Sequence, residues 1–261
     1  MTPLDAFLDR HLARGRLYFT REEALRALPP VSLTAALSQL IRKGRLANPR
    51  HGFYLILRPE DQGTPDPARW IHPLMKHQGI DYRISLLTAA KFHGATQESP
   101  AFQLVVPGAL RDLAAGPHKL EFINQAQNAF IRTNRPEWLT ELKTDTGIAK
   151  VAGIELTLLD CARWFHRASG ISAVAQIARE LGAKALARRL APLARDFENS
   201  AVRRLGYLLE LAGHEQQAKS LDQFAQDAKT VKLLDPSSAE APGEMSGRWK
   251  IAVNSPVKRD S

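Results

Sequence analysis

The chain has 261 residues, of which 44% are apolar and 24% charged, and its formal net charge is +9. These values exclude a disordered or fibrous chain, and the length allows one large domain or two smaller ones. A single cysteine, Cys161, excludes an internal disulfide framework, and no apolar run reaches the roughly 18–20 residues of a membrane span. Asp5 and Asp9 lie in its first ten residues, a pattern unlike a signal peptide, so we expect a cytoplasmic protein without one.

The first 58 residues begin with three predicted helices. An amphipathic pattern over residues 3–14 predicts the first helix. Thr20 and Glu23 form a capping box that starts a short second helix, and Pro29-Pro30 ends it. Ser32 is the predicted N-cap of the third helix, whose core-facing residues recur at spacings of three and four: Leu33, Ala36, Leu37, Leu40 and Ile41.

Two short strands are predicted next, over residues 45–57, around a basic turn. Two helices joined tightly and followed by a basic hairpin, the wing, are typical of a winged helix-turn-helix that binds duplex DNA. The third helix would present to base edges the following residues: Thr34, Ser38, Gln39 and Arg42. Phosphates or the minor groove would be contacted by Lys43, Arg45, Asn48, Arg50 and His51.

Charge is concentrated in this same part of the chain. Residues 1–58 contain ten Lys/Arg against four Asp/Glu, a net charge of +6, which leaves only +3 for the other 203 residues. A local basic excess is the electrostatic footprint expected of a DNA-binding domain.

The rest of the chain predicts a linker over residues 59–66 and a second domain over residues 67–261. Strands are predicted over residues 102–106, 120–124 and 129–133, and residues 154–230 are almost wholly helical in pattern. Residues 231–234 and 249–253 would close the domain as a hairpin around a mobile loop, residues 236–247. The predicted fold class is therefore α+β, an N-terminal winged helix-turn-helix followed by a larger mixed domain rich in helices.

Four stretches, spread over almost the whole length, together resemble one family. They are residues 40–46 with 50–54, the Glu-Leu-Thr-Leu-Leu-Asp sequence of residues 155–160, residues 203–210, and residues 248–254. In this order and spacing the chain resembles the AbiEi family, the antitoxins of type IV toxin–antitoxin (abortive-infection) systems, which serve in phage defence. The segment 236–247 and the tail after residue 254 are not clear family features.

That resemblance implies a transcriptional repressor of its own operon that is also an antitoxin. The winged helix would bind operator inverted repeats in double-stranded DNA, as a monomer or a dimer. The C-terminal domain would counter a nucleotidyltransferase-fold toxin encoded beside it, without a stable complex. No catalytic residue, metal or cofactor is implied, and no membrane.

Two other functions remain open from the residues themselves. A nuclease guided by the winged helix could use Glu121 with the Glu141-Leu142-Lys143 triplet to hold Mg²⁺. A ligand-sensing repressor is the other alternative. The histidine pair His72 and His77 and the pair Cys161 and His166 lack the further ligands that a metal site needs, and Cys161 lies in an apolar helical stripe that predicts a buried, inert thiol.

A second basic surface is predicted on the helices of the C-terminal half. It would serve the antitoxin role or contact nucleic acid a second time, and it comprises Lys184, Arg188, Arg189, Arg203 and Arg204.

Overall fold

In the computed structural model, residues 2–58, 63–97, 99–144, 147–255 and 257 are described. The chain has a mixed α+β fold of twelve helices and twelve strands within these residues, besides short 3₁₀ turns. None of the described helices combines the length and the apolar character needed to cross a bilayer. The chain consists of two compact units. Unit 1 comprises residues 1–83, 100–125 and 141–150, and unit 2 comprises residues 84–99, 126–140 and 151–261.

Unit 1 begins with the element order of the predicted winged helix-turn-helix. The elements are α1 (Pro3–Ala13), β1 (Tyr18–Thr20), α2 (Arg21–Ala27), α3 (Pro30–Arg42), β2 (Leu46–Arg50) and β3 (Phe53–Ile56). The three strands form one sheet in the order β1-β3-β2, with both pairings antiparallel. The Thr20–Glu23 capping box at the start of α2 is present, as predicted.

One apolar core holds these elements together. Phe19 on β1 stacks on Tyr54 on β3 at 5.2 Å between ring centroids and meets Phe7 on α1 edge to face at 5.3 Å. The inward residues of α3, namely Leu33, Leu37 and Leu40, are buried in the same cluster. Burial of large side chains stabilises the fold by roughly 1.5–3 kcal/mol each, so α3 is fixed by its inner face.

The start of α3 differs from the prediction. The helix begins at Pro30, with Pro29 as N-cap, and the Ser32 hydroxyl donates to the Pro29 carbonyl instead of capping the helix. Proline suits the first helical position because its missing N–H would have no partner there. Ile41, predicted to face the core, is exposed.

The elements that follow are α4 (Ile71–Gln78), β4 (Arg83–Ile84), α5 (Leu86–Phe92), β5 (Phe102–Pro107), β6 (Leu113–Ala115), β7 (His118–Gln125), α6 (Gln127–Thr133), β8 (Leu139–Thr144) and β9 (Gly147–Ala152). Six of the strands form a mixed sheet in the order β6-β7-β5-β4-β9-β8. β5 and β7 are parallel, whereas β6 and β7 form an antiparallel hairpin. The strand predicted over residues 129–133 is wrong, because this segment lies in helix α6.

The C-terminal half is helical, as predicted. It contains α7 (Ile154–Arg163), α8 (Ile171–Gly182), α9 (Ala187–Ala194), α10 (Asn199–Leu211), α11 (Glu215–Lys219) and α12 (Asp222–Gln226), followed by β10 (Lys232–Leu233), β11 (Glu244–Ser246) and β12 (Ile251–Val253). The predicted closing hairpin of residues 231–234 and 249–253 is wrong. β12 pairs in parallel with β10, and its antiparallel partner is β11, which lies inside the segment predicted as a loop.

The predicted boundary at residue 58 and the 59–66 linker stay predictions. Residues 59–62 of that linker lie outside the described residues.

Candidate nucleic-acid interface

The outer face of α3 is polar and exposed. Thr34, Ser38, Gln39 and Arg42, the predicted base-reading residues, are all exposed on it. Within the described part of the chain, the Arg42 and Lys43 side chains have no hydrogen-bond or ion-pair partner. The helix sequence from Pro30 to Arg42 contains no Asp or Glu. The helix therefore offers hydroxyl, amide and guanidinium groups to a partner that accepts hydrogen bonds.

Arg21 is a member of this surface that the sequence reasoning missed. Its Nη2 donates to Thr34 Oγ1 at 2.8 Å, and its backbone N–H donates to the Gly52 carbonyl at 2.8 Å. It links the start of α2 to both α3 and the wing. No local pattern in the sequence indicates these contacts, because Thr34 and Gly52 are 13 and 31 residues away along the chain.

The exposed Asn48 side chain is bonded within the wing. Asn48 Nδ2 donates to the carbonyls of Arg50 and Phe53, at 2.7 and 2.8 Å. These bonds span the irregular register of β2 and β3 and leave a two-residue tip, His51-Gly52. Gly52 has φ +76°, which suits glycine, and a Cβ there would lie 3.4 Å from His77 Nε2.

Arg50 packs against the rest of unit 1. Arg50 Nη2 donates to the Arg111 carbonyl, and the guanidinium lies 5.7 Å from the centre of the Phe122 ring. Beside it, His77 Nε2 donates to the His51 carbonyl at 3.1 Å, while His51 itself is exposed. The wing packs against the β6–β7 hairpin and α4. A DNA phosphate would therefore have to share the Arg50 guanidinium with the Arg111 carbonyl and the Phe122 ring.

Arg45 is also paired within the protein. Its Nη1 lies 2.7 Å from Asp5 Oδ1 at the start of α1. Hydrogen bonds from the Thr2 side chain and from Arg45 lower the pKa of Asp5 to about 2. The net cationic charge available to DNA near α3 therefore comes from Arg42 and Lys43 more than from Arg45.

A cleft of about 350 Å³ opens between the start of α1 and α3. Its floor is apolar, with Leu4, Leu33 and Leu40, and Gln39 and Lys43 stand at its rim. This size lies within the range of small-molecule sites, so the ligand-sensing alternative keeps a physical location.

Only some residues of the predicted second basic surface are exposed. Arg203 and Arg204 are 2% and 5% exposed, so the expectation that they form a cationic helix face is wrong. Arg203 Nη1 donates to the carbonyls of Thr230, Trp249 and Lys250, and Arg204 donates to those of Leu234 and Ala162. Burial lowers the pKa of Arg204 to about 10. Both arginines fasten α10 to the C-terminal strands.

Lys184 and Arg188 remain exposed in unit 2. Lys184 Nζ donates to the His93 carbonyl at 3.3 Å, and within the described residues the Arg188 side chain has no partner. Arg189 is half-exposed and tied down, since its Nε lies 3.3 Å from Glu155 Oε2 and its Nη2 donates to the Glu137 carbonyl. Two exposed apolar residues adjoin Lys184. Leu186 lies two residues further along the chain, and Phe92 precedes His93, whose carbonyl Lys184 contacts.

The residues of the nuclease alternative are not brought together. Glu121 lies on β7 and Glu141 on β8, with three strands of the sheet between them. At about 4.8 Å per strand the two are roughly 19 Å apart, too far to share a metal ion. Glu121 is paired instead with Lys119 Nζ at 2.6 Å. No group of three potential metal ligands occurs among the residues that the structure describes.

Cys161 is fully buried, as the sequence predicted. Burial raises the pKa of its thiol, which keeps it in the unreactive protonated form.

Comparison with known proteins finds one family and one similar fold. Residues 83–211 match the family model described as the AbiEi antitoxin C-terminal domain. A solved structure, that of the RV2827C protein from Mycobacterium tuberculosis, matches with a TM-score of 0.72 at 16% identity, covering 97% of this chain and 92% of that one. At this identity the likeness extends to the fold alone. No curated protein sequence matches the chain.

Proposed function

Since residues 83–211 match the AbiEi antitoxin C-terminal domain, we propose that the chain acts in the cytoplasm as a repressor that binds its own operator through the winged helix and as a non-catalytic antitoxin through its C-terminal domain. The proposed functional partner is a nucleotidyltransferase-fold toxin encoded beside it, opposed without a stable complex. The operator would contain inverted repeats, each bound by one winged helix, whether the protein is a monomer or a dimer on DNA.

The observation that carries the DNA-binding part is the outer face of α3. It holds donors and cations without an acidic residue, and its inner face is fixed in an apolar core. A rigid helix with free donors is what major-groove reading requires, because base edges present acceptors at fixed positions. The wing supports the same conclusion, since its tip residue His51 is exposed beside Arg21 and the start of α2.

We assign contacts with the DNA phosphates first to those predicted side chains that are not already paired within unit 1. Lys43 would bind phosphate at the C-terminal end of α3, and His51 would do so at the wing tip. Arg45, Asn48 and Arg50, which have partners inside unit 1, would hold these elements in position.

The antitoxin part rests on the family domain in residues 83–211. Within it, we assign the exposed cations Lys184 and Arg188, with the tied Arg189 at their edge, to the antitoxin surface. Arg203 and Arg204 are left out because they are buried.

Both activities can be tested in cells with the neighbouring genes present. A promoter reporter measures repression by the full-length protein, and growth with the toxin induced measures neutralisation. We expect the protein to lower reporter output and to restore growth. If deletion of its gene left both reporter repression and toxin neutralisation intact, the proposal would be contradicted.

A further inference from the structure

Val31 is the most exposed large apolar side chain of the described residues. It lies in the first turn of α3 and is 94% exposed. Covering such a side chain in a complex would remove apolar surface from water, which favours binding. Ala35, one turn further on, is exposed as well. The predicted start of the helix at Ser32 had left Val31 outside it.

The position of Val31 around the helix axis is central to the outer face. Successive residues turn by 100°, and the buried Leu33, Leu37 and Leu40 define the inward direction. Opposite to them, in order along the axis, lie Val31, Ala35, Ser38 and Arg42. The midline of the outer face is thus apolar in its first two turns and ends in a free guanidinium.

Base pairs present a matching chemistry in the major groove. The C5 methyl of thymine is the apolar group there, and the O6 and N7 of guanine accept a bidentate bond from arginine. We propose that Val31, supported by Ala35, reads a thymine methyl, and that Arg42 reads a guanine at the other end of the same half-site. This inference rests on the proposed DNA binding by α3. The two side chains are about 16 Å apart along the helix axis, which corresponds to roughly four to five base pairs.

Charge favours DNA over a protein as the occupant of this face. The valine lies on a helix without any carboxylate, and Arg42 and Lys43 at the other end of that helix have no acidic partner among the described residues. A polyanion is the complement of such a surface.

The test compares thymine with deoxyuracil, which lacks only the methyl group. Binding sites are first selected with the full-length protein from a library of random duplexes. Each thymine of the selected half-site is then replaced by deoxyuracil, and affinity is measured for the wild type, Val31→Ala and Val231→Ala. The control removes the same two methyls from an exposed valine of unit 2.

We expect one or two deoxyuracil positions to weaken wild-type binding about three- to tenfold, as loss of one methyl contact would. The effect should disappear in Val31→Ala and persist in Val231→Ala. If no sequence is enriched, the proposed DNA reading itself fails. If sites are enriched but deoxyuracil has no effect, or Val31→Ala keeps the full effect, the inference is overturned while DNA binding stands. A wild-type oligomer that Val31→Ala dissociates in gel filtration would also overturn it, since a second copy would then cover the valine.

Discussion

Arg42 stands at the C-terminal end of the outer face of α3, exposed and free of partners within the described chain. If it reads a base, Arg42→Ala should weaken binding to the selected site by about 1–3 kcal/mol and binding to random duplex far less. Competition titrations with the two DNAs measure the difference. An equal loss on both would make Arg42 a phosphate contact.

The salt dependence of DNA binding separates the roles of Lys43 and Arg50. The Lys43 side chain has no partner among the residues that the structure describes, so Lys43→Ala should reduce the slope of log affinity against log salt by about one unit and leave Tm unchanged. Arg50 already contacts the Arg111 carbonyl and Phe122, so Arg50→Ala should lower Tm with little change in slope. A full unit lost from the slope in Arg50→Ala would instead place this residue on the phosphates.

Single residues differ in how far sequence predicts their roles. The polar face of α3 was predictable because the apolar stripe fixes the inner side of the helix, and everything opposite is exposed. Arg203 and Arg204 were not, because a sequence shows charges but not what covers them. On α10, both arginines lie under the C-terminal strands and donate to carbonyls that are distant in sequence.

At the level of elements, the capping box of α2 makes the stability of the N-terminal helices and strands depend on pH. Burial alone would raise the pKa of Glu23, but the Thr20 backbone N–H and the Arg16 guanidinium outweigh it, and the pKa lies below its ordinary value. A lowered folded pKa contributes stability above the unfolded pKa of about 4.3, and this contribution is lost as pH falls through the folded pKa.

Urea unfolding of the wild type and of Glu23→Gln checks this dependence. The variant should be less stable at pH 6, and the difference between the two proteins should shrink towards pH 3. Other titrating groups, Asp5 among them, cancel in that difference. A gap that stays constant or widens at pH 3 would show that the carboxylate charge does not stabilise α2.

Helices and strands were predictable where signals nearby in the sequence determine their structure. They were not predictable where contacts between distant segments determine it. The capping box at Thr20 and the spacing of Leu33, Leu37 and Leu40 lie within one or two turns, so α2 and α3 could be read directly. The segment 129–133 was misread because Phe130 and Ile131 favour strands, whereas burial of Phe130 and Thr133 on one helical side decides its structure. The pairing of β12 between β10 and β11 depends on contacts that no local pattern encodes.

On the scale of the whole molecule, we expect repression and toxin neutralisation to depend on different surfaces, the first on the outer face of α3 and the second on the exposed cations of unit 2. Arg42→Ala should abolish repression of the reporter and keep toxin neutralisation, while Arg188→Glu should do the reverse. Arg195→Glu, which changes the charge of another exposed arginine of unit 2, serves as the control and should keep both activities. Loss of both activities in a folded single variant would mean that the two surfaces do not act separately.

The central claim is that α3 and the wing recognise a specific operator. Footprinting of the full-length protein on the DNA upstream of its own gene tests it most directly. We predict protection of inverted repeats by the wild type, at concentrations where unrelated DNA is unprotected, and loss of that protection in Arg42→Ala. Uniform protection of all DNA, or the same footprint with Arg42→Ala, would contradict the claim.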